Sequence, residues 1–223
     1  MSPPVGRRGV DRYTAKGILV SIHMASADPA VVDPVSTGPL PRAARQAAIL
    51  SGAARAFARA GYAATSMEDI AAASGITKLI VYRHFDSKEE LYRAVLQQVF
   101  DRLAEEFVIG YSQGAGGVGA RSLLTVARED PDGFHLLWRH AAREPQFADY
   151  ARELRERSVD ASRALLAGQV QPGLYEWAAH TIVDYLVEAV LNWLEFGQPA
   201  RDEEFVALAT AGARAGIRAW VSR

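Results

Sequence analysis

Lys78, Leu79, Tyr82 and Arg83 lie within six residues of one another, at positions that share one face of a helix. Together they offer a cation, an apolar edge for thymine methyls, and a hydroxyl and guanidinium for phosphate or guanine. That chemistry suits contact with duplex nucleic acid. The other side of the same segment carries Val81 and Phe85. With Ile70, Ala71 and Ile76 these can form a small core that fixes how two short helices cross at Ser74-Gly75-Ile76. This is the plan of a helix-turn-helix, whose second helix is offered to the major groove. The spacing alone also fits an ordinary pair of helices with a glycine between them.

The elements that must hold this face can be read on either side of it. Ala47, Ala48, Ile49, Ala53, Ala54, Phe57 and Ala58 recur at helical spacing from Pro41 onward, and Gly61 closes that helix as a C′ residue. A second helix opens at Ser66, whose side chain can cap residue 69 while Asp69 reaches back. It ends at Ser74-Gly75. A third is expected from Thr77, read as its cap, to about His84. A fourth follows Asp86-Ser87 and continues through Phe107. Gly114-Ala115-Gly116-Gly117-Val118-Gly119 matches G-x-G-x-x-G in form, but a dinucleotide site needs a strand before it and a βαβ unit around it. Here a long helix precedes, so the stretch reads as a flexible interhelix loop. Residues 120–223 read as helices throughout, broken near Pro131, Glu144-Pro145 and Pro172-Gly173.

Composition narrows the class. Of 223 residues, 49% are hydrophobic and 23% charged, which argues against a mainly disordered chain. Forty are alanine, the best helix former, favouring an all-α fold. Cysteine is absent, excluding a disulfide scaffold, a thiol nucleophile and Cys-ligated metal. No apolar run approaches the roughly 20 residues needed to span a bilayer, so a cytoplasmic protein with no membrane partner is expected. G-x-S-x-G, P-loop and H-E-x-x-H motifs are missing, so neither an enzyme nor a cofactor is expected. His135 and His140 are five apart and share no helix face, which disfavours a metal site. Charge is uneven: residues 42–98 carry eight Lys+Arg against five Asp+Glu, whereas 99–223 carry thirteen against eighteen. A basic module joined to an acidic one fits a nucleic-acid-binding part and a part with another task.

The run Gly75-Ile76-Thr77-Lys78-Leu79-Ile80-Val81-Tyr82-Arg83-His84-Phe85-Asp86-Ser87-Lys88-Glu89-Glu90-Leu91 strongly resembles the signature of the TetR family of bacterial transcriptional regulators. The resemblance covers about residues 42–100 and includes Ala60-Gly61-Tyr62. It implies that Thr77, Lys78, Leu79 and Ile80 open a recognition helix near base edges. It further implies that Tyr82 and His84 reach phosphates, that Arg83 reaches phosphate or base, and that Lys88 meets a phosphate at the start of the fourth helix. The two positions after Lys78 are often small or hydroxylated in the family. Here they are Leu79 and Ile80, which leaves fewer hydrogen bonds to bases and shifts readout towards methyl contacts and DNA shape.

The resemblance also implies a homodimer, with the last two long helices pairing across a twofold. Between residues 174 and 196, Asp184, Glu188, Asn192 and Glu195 form one polar stripe and the remainder is broadly apolar. On the final helix Ala209, Gly212, Ala213 and Gly216 form a small-residue stripe, read as the dimer contact. All four tryptophans lie in this half. With Phe107, Tyr111, Phe134, Phe147, Tyr150 and Tyr175 they can line an apolar cavity, for which Phe134, His135, Trp138 and Trp177 are the leading candidates. The expected organisation is a poorly ordered arm over 1–41, a three-helix DNA-binding domain over 42–90, and a helical effector-binding and dimerisation domain over 91–223. Residues 17–22 followed by Ala25-Ser26-Ala27 look like a secretory leader, but the apolar stretch is short and ends at His23. A leader is therefore disfavoured, and a start at Met24 or a basic arm on DNA accounts for them instead. The expected function is a repressor released from a palindromic operator by a hydrophobic small molecule. The alternative is an architectural or cell-division DNA-binding protein without an effector.

Overall fold

The computed structural model describes residues 41–221, so the expected arm over 1–41 lies, except for Pro41, outside the described residues. All regular structure among the described residues is helical, as the alanine content and periodicity anticipate. Nine α-helices follow in order: α1 Arg42–Ala64, α2 Met67–Ser74, α3 Lys78–His84, α4 Lys88–Ser112, α5 Val118–Glu129, α6 Pro131–His135, α7 Ala148–Leu166, α8 Tyr175–Phe196 and α9 Asp202–Trp220.

Local chemistry sets the boundaries near the proposed DNA face. Ser66 and Asp69 form the reciprocal capping box, with the Asp69 N–H donating to Ser66 Oγ at 3.1 Å and the Ser66 N–H donating to Asp69 Oδ2 at 2.9 Å. Gly75 closes α2 at φ +65°, the left-handed region that a side chain disfavours, and so turns the chain into α3. Thr77 stands at the N-cap of α3, but its hydroxyl makes no capping bond. Its backbone carbonyl accepts from Ile80 and Val81, and the exposed hydroxyl is left to solvent. Ser87 caps α4 through the Glu90 N–H. α4 runs five residues past Phe107, through Gly110, and the chain leaves the helix just before Gly114 at φ +67°.

The helix-turn-helix core is built from the anticipated residues. Ile70 and Val81 are fully buried, Ala71 and Phe85 nearly so, and Ile76 is half-buried. The division expected between residues 90 and 91 falls in the first turn of α4, whose buried Leu91, Tyr92, Val95 and Leu96 belong to one continuous helix. Phe147, expected near a cavity, instead sits at the start of α7 with no exposed surface. Its ring lies 4.3 Å from Tyr92 of α4 and 4.8 Å from Tyr62 of α1. Phe57 completes this cluster at 4.9 Å from Tyr92, so α1, α4 and the start of α7 share one aromatic core.

The polar stripe of α8 is occupied within the chain: Asp184 pairs with Arg155 of α7 and Glu188 with Arg139. The small-residue stripe of α9 also has close neighbours within the chain. Ala209 is buried, a Cβ on Gly212 would stand 2.3 Å from the Tyr185 hydroxyl, and one on Gly216 would stand 3.2 Å from Trp220. The stripe therefore accommodates bulky neighbours inside the chain. α9 also has an outward face, with Leu208 63% exposed beside exposed Ala215. Asp202 anchors α9 by accepting from Arg128 of α5 and from the Trp193 indole of α8. No helix among the described residues is long and apolar enough to cross a membrane.

Candidate nucleic-acid interface

α3 is seven residues long and packs inward through Val81. Leu79 is 63% and Tyr82 43% exposed, and Lys78 and Arg83 share that exposed side. Leu79 thus holds an apolar side chain largely in water in the first turn of α3. Ile80 is half-buried, between core and surface.

The cations on this face differ in availability. Arg83 makes no ion pair or hydrogen bond among the described residues. Lys78 pairs with Glu68 of α2, which raises the pKa of the ammonium and lowers that of the carboxyl, and it lies 5.7 Å from the centre of the Tyr82 ring. Both partners are at least half-solvated, and such pairs contribute little net stability. Glu68 therefore occupies the Lys78 ammonium in the DNA-free chain. His84 is half-buried, and burial, then the positive charges of Arg42 and Arg45, hold its pKa below the usual imidazole value. The start of α1 therefore adds two cations near the end of α3. Single-motif reading missed both, although the basic balance of residues 42–98 signals them.

Lys88, expected to meet a phosphate, is engaged within the chain. Its ammonium donates to the carbonyls of Tyr62 and Thr65, both at 2.8 Å, and more weakly to Ala63, and it lies 4.4 Å from the centre of the Tyr62 ring. These carbonyls belong to the frayed end of α1 beyond Gly61, where the helix leaves acceptors without internal donors. The lysine closes that end, a role invisible in the motif because the acceptors lie 23 to 26 residues away. Lys88→Ala is expected to lower the unfolding free energy by about 2 kcal/mol and to leave the salt dependence of DNA binding unchanged. Urea denaturation and binding isotherms at several salt concentrations check the two halves.

The expected effector residues are not assembled as one cluster. Phe134 is fully buried and stands 6.3 Å from Trp138. His135 is half-buried, and burial with the nearby His140 and Arg139 charges lowers its pKa. Trp177, by contrast, is 52% exposed and packs edge-on against Trp220 at 4.7 Å. No group of three or more His, Asp or Glu among the described residues is placed to hold a metal.

The model for "Bacterial regulatory proteins, tetR family" matches residues 49–95, the span from α1 to α4 that contains this face. The HTH-type transcriptional activator FasR of Mycolicibacterium smegmatis is 32% identical over 174 residues, covering 72% of this chain and 77% of that protein. The chain belongs to the TetR family. The HTH-type transcriptional regulator RutR of Escherichia coli is also 32% identical, over 148 residues, covering 62% of this chain and 68% of that protein. A TetR-like regulator from Rhodococcus sp. RHA1 has the same fold, with a TM-score of 0.68 at 23% identity over 80% of this chain and 98% of that one. This TetR-family protein is a DNA-binding transcriptional regulator, and its relatives are regulators rather than enzymes.

Proposed function

We propose that the protein acts as a cytoplasmic homodimer on a pseudo-palindromic DNA operator, blocks transcription by occupying it, and is released by an apolar small-molecule effector. The single observation that carries the DNA reading is the solvated face of α3. Leu79 and Ile80 would meet base edges, and Thr77, Lys78, Tyr82, Arg83 and His84 would reach phosphates or bases. Lys88 is removed from that set. Two copies of α3 would enter successive major grooves about 34 Å apart. FasR is named an activator, and the same DNA contacts serve either sign of control, depending on where the operator lies.

Dimerisation is typical of the family. It is supported by the outward face of α8 and α9, where Tyr185 and Leu208 are exposed. Leu208→Glu is expected to give a folded monomer by sedimentation and to lose operator binding by at least tenfold, because each half-site alone buries half the contacts. A variant that stays dimeric removes this face from the interface.

The effector reading rests on the prolongation of α6. Leu136–His140 is a π-helical turn, a distortion frequent at functional sites, and it carries the Trp138 indole N–H, buried without an acceptor. An effector with one acceptor atom at Trp138, bordered by Phe134 and His135, would satisfy that donor. Release requires only that it prefer a conformation whose α3 spacing no longer fits DNA.

A further inference from the structure

The glycine-rich stretch from Gly114 to Gly119 has no part in the DNA face, yet it borders a built feature. It connects α4 to α5 and closes one side of a cleft of about 450 Å³ that runs between α5 and α9. Three guanidinium groups line this space, from Arg121 of α5 and from Arg214 and Arg218 of α9, against one carboxylate, Glu203. Arg121 and Glu203 hold each other through two parallel bonds of 2.6 and 2.7 Å. Arg214 and Arg218, one turn apart, make no ion pair or hydrogen bond among the described residues. The concave surface therefore carries two cations with no anionic partner, in a chain whose C-terminal half is acidic overall.

One residue of the loop lies close against α9. Gly117 adopts φ +74°, and a Cβ there would stand 2.3 Å from Thr210 Oγ1, so the backbone seats directly on α9. α5 then starts with no side-chain cap and no acidic residue in its first turn. That leaves its positive end without the usual negative partner beside the cleft.

We propose that this cleft binds a phosphate-bearing small molecule, with its phosphate held by Arg214 and Arg218 and its remainder along α9. Planar guanidinium forks match phosphate oxygens in pairs. The cleft is open on one side, with Arg214 and Arg218 exposed, and its volume of about 450 Å³ exceeds what a bare phosphate fills. The site is separate from the Trp138 region and does not depend on the effector reading. Glu203 is its built-in competitor, because it occupies the third guanidinium.

Calorimetric titration of the full chain with inorganic phosphate and with pyrophosphate, in low-salt chloride buffer, tests this. Saturable binding of both is expected, with pyrophosphate the tighter by tenfold or more. The Arg214→Ala/Arg218→Ala variant weakens both by at least tenfold. Glu203→Gln tightens both several-fold by freeing Arg121, a gain that misfolding does not imitate. No saturable binding, equal binding by the arginine variant, or no tightening in Glu203→Gln overturns the proposal. So does sedimentation showing that the arginine variant alters subunit association while phosphate binding is untouched, because the arginines then belong to a protein contact.

Discussion

Phe147→Ala is expected to lower the unfolding free energy by about 3–5 kcal/mol, the usual range for truncating a fully buried phenylalanine. The ring is completely buried between Tyr62 and Tyr92, and the Arg93 guanidinium lies 5.4 Å from its centre. Truncation leaves a cavity bounded by two large rings, which cannot close it without moving α1 or α4. Phe147 opens α7, whereas Tyr62 and Tyr92 belong to the DNA-facing half, so the loss falls on the contact that joins them. Phe147→Leu retains most of the volume and should cost less than about 1.5 kcal/mol. Urea denaturation of the two variants against the parent measures both. A loss below about 1 kcal/mol for alanine would show that the cluster repacks and carries no such linkage.

Arg83→Ala is expected to weaken operator binding by about tenfold to a hundredfold and to flatten the slope of log K against log salt by about 2. A dimer presents Arg83 twice, and each phosphate contact contributes about 0.9 to that slope. Lys78→Ala should have the smaller effect, because Glu68 already holds the ammonium and must be displaced on binding. Arg83 has no such competitor among the described residues. Titration of a fluorescent operator duplex at four salt concentrations ranks the two. An unchanged slope for Arg83→Ala would remove that side chain from the phosphate contacts.

How much of this was legible in the sequence depended on how local the physics is. The capping box at Ser66, the turn at Gly75 and the solvated face of α3 follow from residues within a few positions of one another, and they appear as read. Thr77 satisfied the same rule by type but not by geometry, since its carbonyl serves where its hydroxyl was expected to. The roles of Lys88, Gly212 and Phe147 depend on partners 26, 27 and 55 to 85 residues away. Spacing along the chain carries no record of such partners. The stripe on α9 illustrates the limit. Small residues at helical spacing report that something approaches closely, and here it is Tyr185 and Trp220 of the same chain. The exposure of Trp177 was likewise not legible: aromatic type marks burial on average, whereas this ring rests on Trp220 and is half exposed.

The most direct test of α3 as the element inserted into duplex DNA is photo-cross-linking from a benzophenone side chain placed at Leu79, with Leu208 as the reference position, on a duplex taken from DNA flanking the protein's own gene. Cross-links from position 79 should reach DNA and disappear with excess unlabelled operator, while those from position 208 should reach a second protein chain. Cross-linking of position 208 to the duplex, with none from position 79, would contradict the account.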